Sequence, residues 1–191
     1  MRLNGSVRAW LRAETQAQHE AVDRAFGAYA LTERGEYLRF LNAHARALLP
    51  LEAALDAAGA GALISDWPLR RRDAALVADL HDLGAAPPST SGAALDLRDE
   101  AAMWGAMYVL EGSRLGGRLL SRSVADAADP VVRRANRYLT HGAGEGAWRT
   151  FLNALEASPA VRSRPQETLA GASSAFAVFA HAAVETAPAT F

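Results

Sequence analysis

Apolar residues recur along this chain at spacings of three and four, and no run alternates apolar and polar with the β-branched enrichment of a strand. The pattern predicts an all-α fold. A first helix is predicted from about Ser6, a suitable N-cap, to about Ala28, with Val7, Leu11, Val22 and Phe26 on one face. A second, after Thr32, carries Tyr37, Leu41, His44, Leu48, Leu51 and Leu55 in a 4-3-4-3-4 rhythm. Gly59, Gly61 and Pro68 interrupt before a shorter helix near 70–83, and the loop 84–92 is the clearest break. A long helix near 97–127, stopped by Pro130, is followed by a short one near 131–139. After a glycine-marked loop at 142–146 come helices near 147–157 and 167–185, with residues 187–191 expected to fray. No repeat interrupts the pattern, and residues 1–191 read as one domain of multihelical-bundle type.

Composition narrows the chemistry. With 50% hydrophobic and 21% charged residues in 191, the chain suits one globular core, and a net charge of -1 argues against nucleic acid as a partner. All 20 basic residues are Arg, so neither a Schiff-base lysine nor a P-loop lysine exists. The absence of Cys removes disulfides, thiolate nucleophiles, Cys-ligated zinc and iron–sulfur clusters. The charged N-terminal stretch lacks a signal peptide's apolar run, and the weakly polar segment 172–184 is too short to span a bilayer. The expectation is a soluble, cytoplasmic protein with no membrane partner. No Glu-x-x-His pair, Gly-x-Ser-x-Gly elbow, His-Glu-x-x-His helix, Walker loop or Rossmann fingerprint occurs.

Two features stand out against this background. The long helix carries Gly105, Gly112, Gly116 and Gly117, which at about 1 kcal/mol each relative to Ala cost roughly 4 kcal/mol. At about 100° per residue Gly105, Gly112 and Gly116 share an arc of about 40°, apart from a stripe of Trp104, Tyr108 and Leu115. That bare face admits either a closely packed helix or a flat ligand, and the pattern weighs the two equally. Glu111 falls within the aromatic stripe and should be buried and paired with an Arg.

The second feature is His19, expected on the buried side of the first helix beside Val22 and Phe26, with Arg12 about 10 Å away along the axis and near the same face. A neutral imidazole offers a lone pair to a metal, and a guanidinium at that distance forks onto a carboxylate. Haem, with a central iron and propionates at its edge, fits that spacing. A histidine on an apolar face is nonetheless more often an ordinary core residue. His44 sits on a cleaner apolar stripe, and periodicity does not choose between the two. The run Arg70–Arg72 reads as a solvated helix start.

Leu11-Arg-Ala-Glu-Thr-Gln-Ala-Gln-His19, followed by Tyr108-Val-Leu-Glu-Gly-Ser-Arg-Leu-Gly-Gly117, resembles the bacterial biliverdin-producing haem oxygenases, the phytochrome-associated type above all. Trp148-Arg-Thr-Phe-Leu and the helix of Phe176 and Phe179 match more weakly. The resemblance implies His19 as the proximal iron ligand, Gly112, Gly116 and Gly117 over the distal face of haem, and Arg12, Tyr108 and Arg149 as propionate partners. It implies oxygen-dependent opening of haem, both cofactor and substrate, to biliverdin, carbon monoxide and ferrous iron. Electrons would come from an external reductase or ferredoxin, and a bilin-using photoreceptor would be a downstream partner. Gly112, Gly116 and Ser113 become the catalytic positions on the distal helix. Ser113 stands where animal members carry an Asp, so Ser113, Arg114, Arg118 or ordered water must manage protons. Two other readings remain at this level. One is a non-catalytic haem carrier or gas sensor on the same fold, and the other is a haem-free helical scaffold.

Overall fold

The apolar rhythm is realised as twelve α-helices, with no strand, among the described residues of a computed structural model, 5–89, 97–142 and 145–186. The tail at 187–191 and part of the predicted loop at 84–92 lie outside them. In order they are α1 (Val7–Glu14), α2 (Gln16–Phe26), α3 (Arg34–Ala58), α4 (Ala60–Leu63), α5 (Trp67–Arg70) and α6 (Asp73–Asp82). Then follow α7 (Glu100–Ala125), α8 (Pro130–Arg134), α9 (Arg137–Thr140), α10 (Glu145–Ala157), α11 (Pro159–Ser163) and α12 (Pro165–Thr186).

The predicted first helix is two. At Thr15 the backbone leaves helical values, with φ -104 and ψ 6, and the Thr15 hydroxyl donates to the Leu11 carbonyl at 2.7 Å. This local bond competes with continuation of the helix. The N-terminus of α1 is held from a distance, since Glu156 of α10 accepts from the Ser6 hydroxyl (2.7 Å) and the amides of Val7 and Arg8 (both 3.1 Å). Those donors would otherwise lack intrahelical partners. Glu52 of α3 does the same for α6, accepting from the Arg72 and Asp73 amides.

The helix near 131–139 also divides, into α8 and α9, the one near 70–83 is realised as α6 with the short α5 ahead of it, and α11 is an unpredicted extra turn. Gly59 ends α3 in the left-handed region, φ 91. The Asp99 side chain caps α7 by accepting from the Ala101 amide at 2.7 Å.

α7 and α12 make the most extensive packing of the molecule, with α3 lying across α12. Glycine permits that closeness. A Cβ on Gly105 would stand 2.7 Å from the Ala172 amide nitrogen, and one on Gly171 2.7 Å from the Ala102 carbonyl carbon. Gly105 therefore belongs to a helix crossing and is separated from the rest of the bare face. Gly105→Ala is expected to force the two backbones apart at a cost of about 2–3 kcal/mol. A thermal scan should show a midpoint lower by about 5–10 °C. An unchanged midpoint would mean the crossing is looser than this geometry.

Candidate functional site

The helices leave a cleft of about 630 Å³, a size ordinary for a small ligand or cofactor. One wall is α1 and α2, which present Arg8, Arg12, Thr15, His19, Val22 and Phe26. The facing wall is α7, with Tyr108, Val109, Gly112, Ser113, Leu115, Gly116, Gly117 and Leu120. Between them, His44 of α3, Arg72, Tyr138 and Leu139 of α9, Trp148 of α10, and Phe176 and Phe179 of α12 close the remaining sides.

His19 is placed by two contacts. Its Nδ1 lies 3.2 Å from Asp23 Oδ2, one turn along α2, and its ring packs edge-on against Phe176 at 6.0 Å between centroids. A neutral ring whose Nδ1–H donates to that carboxylate keeps its lone pair on Nε2, the tautomer of a metal-binding histidine. The side chain is 63% exposed, where the apolar pattern suggests burial, because the α2 face it shares borders an open cleft and not the core. Asp23, four residues after the histidine and so on the same helix face, is a site residue that the apolar pattern does not signal.

The opposite wall is bare where it faces the cleft. A Cβ on Gly116 would meet nothing within 4 Å, and one on Gly112 would reach only the Trp148 ring, at 3.7 Å. Gly117 differs, because a Cβ there would press on the Leu139 carbonyl oxygen at 3.1 Å, so this glycine also lets α9 approach α7. Among the described residues no cluster of three or more His, Cys, Asp or Glu is disposed to hold a bare ion. An imidazole facing a bare helix, with no cluster of ligand residues around it, thus suits a metal that arrives with most of its ligands already supplied, within something flat.

Arg8 joins Arg12 on the α1 wall, four residues apart on one face. Tyr108 belongs to the same electrostatic neighbourhood, as burial raises its phenol and the two guanidinium groups partly offset that. Together they give one edge of the cleft a cationic, hydrogen-bonding character. Arg149 is not part of it; it is exposed on α10 and does not line the cleft. It shares a helix with Trp148, which does, but points elsewhere on the helix surface.

The run at residues 70–72 is the largest departure from the sequence reading. Arg70 is 4% and Arg72 3% exposed, because each finds carboxylate or carbonyl partners that only the fold supplies. Arg70 Nη1 donates to Glu111 Oε2 (2.7 Å) and to the Ala147 carbonyl (3.1 Å), and its Nε and Nη2 fork onto Asp66. Glu111 is buried and Arg-paired as expected, also accepting from Arg114 Nε (3.1 Å) and Nη2 (2.9 Å). Arg114 is thereby committed to structure. Neither it nor the exposed Arg118 lines the cleft.

Ser113 does line it, but its hydroxyl donates to the Leu110 carbonyl (2.8 Å) and accepts from Arg72 Nη2 (2.8 Å). Its proton is therefore engaged, and it meets the cleft as an acceptor. Arg72 also lies over the Tyr138 ring, 5.1 Å from its centroid. Tyr138 in turn touches His44, whose Nδ1 is 2.7 Å from the phenol oxygen.

Three known proteins similar to this chain carry the name heme oxygenase. The chain is 32% identical over 148 residues, 75% of its length and 86% of the other's, to a protein named heme oxygenase from Xanthomonas campestris pv. campestris (strain 8004). Its fold is similar to that of the NO- and CO-bound heme oxygenase from Neisseria meningitidis, with TM-score 0.77 and 24% identity over 95% of this chain and 92% of that one. It is also similar to heme oxygenase from Leptospira interrogans, with TM-score 0.72 and 21% identity over 95% of this chain and all (100%) of that one. No family model matches the chain.

Proposed function

The chain belongs to the haem oxygenase family, and on that premise we propose how its cleft holds haem and what it releases. It is a haem-degrading oxygenase, with haem as both cofactor and substrate. The products we assign are biliverdin, carbon monoxide and ferrous iron. The observation that carries the residue assignment is the His19 imidazole on one wall, its Nδ1 turned to Asp23, opposite a Cβ-free ridge on the other.

The residues present fit the group. Bound haem supplies the redox-active iron and the macrocycle that is opened. His19 Nε2 is the protein ligand, and Asp23 fixes the ring's tautomer and orientation. A neutral imidazole lacks the electron push by which a thiolate favours oxygen–oxygen cleavage. Gly112 and Gly116 let the α7 backbone come within van der Waals reach of the ligand's other face, limiting the space in which oxygen can be oriented. Arg12, with Arg8 beside it and Tyr108 across from it, pairs with the propionates at the cationic edge. Phe26, Phe176, Phe179 and Leu139 exclude bulk water from the interior sides. Ser113 holds water as an acceptor.

The electrons would come from outside the chain, from a ferredoxin or a reductase. No described helix is long and apolar enough to cross a membrane.

Hemin titration should give a stoichiometric Soret band that yields to biliverdin absorbance when reductant is added in air. A band that persists would leave a carrier or sensor without ring-opening activity, and no band at all would remove haem from the account. Gly116→Leu separates cleft from fold. Nothing surrounds that position, so the fold should survive, while the side chain occupies ligand space and weakens hemin binding about 10- to 100-fold. Unchanged affinity would place the ligand elsewhere.

A further inference from the structure

Arg8 and Arg12 reach the cleft from α1, a helix of only 8 residues, and their placement is inherited from its backbone. Among the described residues neither guanidinium makes a hydrogen bond or an ion pair that would hold it in position by itself. Nor does α2 dictate where α1 lies, since the backbone leaves helical values at Thr15, between the two. Val7 and Leu11, both fully buried, anchor one face of α1. Its first turn hangs on a single distant side chain, Glu156 of α10.

Glu156 commits both carboxylate oxygens to that turn. Oε1 accepts from the Ser6 hydroxyl at 2.7 Å and the Arg8 amide at 3.1 Å, and Oε2 accepts from the Val7 amide at 3.1 Å. One of the three donors is therefore the backbone of Arg8 itself. Burial would raise this carboxyl, but the Ser6 hydroxyl, the two amides and the nearby Arg162 charge together hold it below the usual carboxylate range. Its negative charge also suits the positive end of the α1 dipole.

Glu156 does not line the cleft. About two turns earlier on α10, Trp148 does, with its ring 5.8 Å from that of Tyr108 on the α7 wall. α10 thus touches both walls, α7 through Trp148 and α1 through Glu156.

We propose that Glu156 is a positioning residue for ligand capture: by clamping the first turn of α1 to α10, it sets where Arg8 and Arg12 meet the carboxylates of the bound macrocycle. The inference rests on haem binding in this cleft. Affinity for the ligand's anionic edge then depends on a residue that never touches the ligand, because two otherwise unheld guanidinium groups move with the backbone that Glu156 fixes.

The test is binding of hemin and of its dimethyl ester, whose carboxyls are masked, to the wild type, Glu156→Ala and Glu156→Gln, with thermal midpoints measured in parallel. The wild type should prefer hemin. Glu156→Ala should weaken hemin about 3- to 10-fold and leave the ester within about twofold, so the preference narrows. Glu156→Gln keeps one acceptor oxygen for the turn but not two, and should fall between. Equal losses for hemin and ester in Glu156→Ala would mark a general loosening of the cleft and overturn the proposal. Hemin affinity within about twofold of wild type would overturn it too, as would a wild type that binds both porphyrins equally. A wild type that binds neither would instead overturn the haem reading beneath it. If Glu156→Ala does not fold, Glu156→Gln decides: a loss confined to hemin supports the clamp, and a loss that is absent or shared by the ester ends it.

Discussion

His19→Ala is expected to lose more than about 100-fold in haem turnover while the protein keeps its fold. The side chain is 63% exposed and its contacts are Asp23 one turn away and an edge-on Phe176, so little core packing depends on it. Its chemical role has no substitute in a cluster of ligand residues, since none stands by among the described residues. Altering even a hydrogen-bond partner of a metal-bound histidine costs about 10–100-fold, so loss of the ligand itself should exceed that range. Asp23→Asn should fall inside it, at about tenfold, by relaxing the Nδ1–H···carboxylate bond that fixes the lone pair on Nε2. The Soret band of His19→Ala should shift, and added imidazole should restore it. A variant with a wild-type Soret band and turnover would show that the iron is held by another group.

Glu111→Ala should produce the largest loss of stability. Glu111 is 1% exposed and receives Arg70 from one side and Arg114 from the other. Removing one partner of a buried ion pair leaves uncompensated charge and costs about 3–5 kcal/mol. Here two guanidinium groups would be stranded, although Asp66 still holds Arg70. For a chain of this size the thermal midpoint should drop by about 10 °C. Glu111→Gln, which keeps acceptor capacity but not charge, should lie between. The damage should reach the cleft, because the same network ties α5 to α7 and to the backbone at His141 and Ala147, next to the segments carrying Tyr138 and Trp148. Hemin affinity should therefore fall with stability. A midpoint within 2 °C of wild type would mean that solvent reaches this network.

Much of the molecule was readable from residue order because the information is local. The 3–4 rhythm from Tyr37 to Leu55 produces α3, and Asp99 and Gly59 mark helix ends through bonds and dihedrals close in sequence. His19 and the Gly112–Gly116 ridge were also legible, one as a residue type on a helix face and the other as a costly run that demanded compensation. Where local reasoning misled, a distant partner had intervened. Gly105 lies within the same arc as Gly112 and Gly116, yet α12 covers one and the cleft the others. Nothing in α7 itself distinguishes them.

The sequence by itself determined an all-helical chain with two candidate imidazoles on apolar helix faces, His19 and His44, and one side-chain-poor ridge, since periodicity, propensity and residue chemistry operate within a few turns. Only the tertiary structure decided which charges are buried. Arg70 and Arg72 look like solvent-facing residues until Glu111 and Ser113 of α7, brought in by the fold, join the neighbouring Asp66 around them. It also decided that Arg149 lies off the cleft while Arg8 lines it. The contact of His44 with Tyr138 was likewise invisible, because the phenol lies 94 residues away in the chain and 2.7 Å away in space. Burial and proton placement are properties of neighbours, and neighbours distant in sequence are assigned by packing.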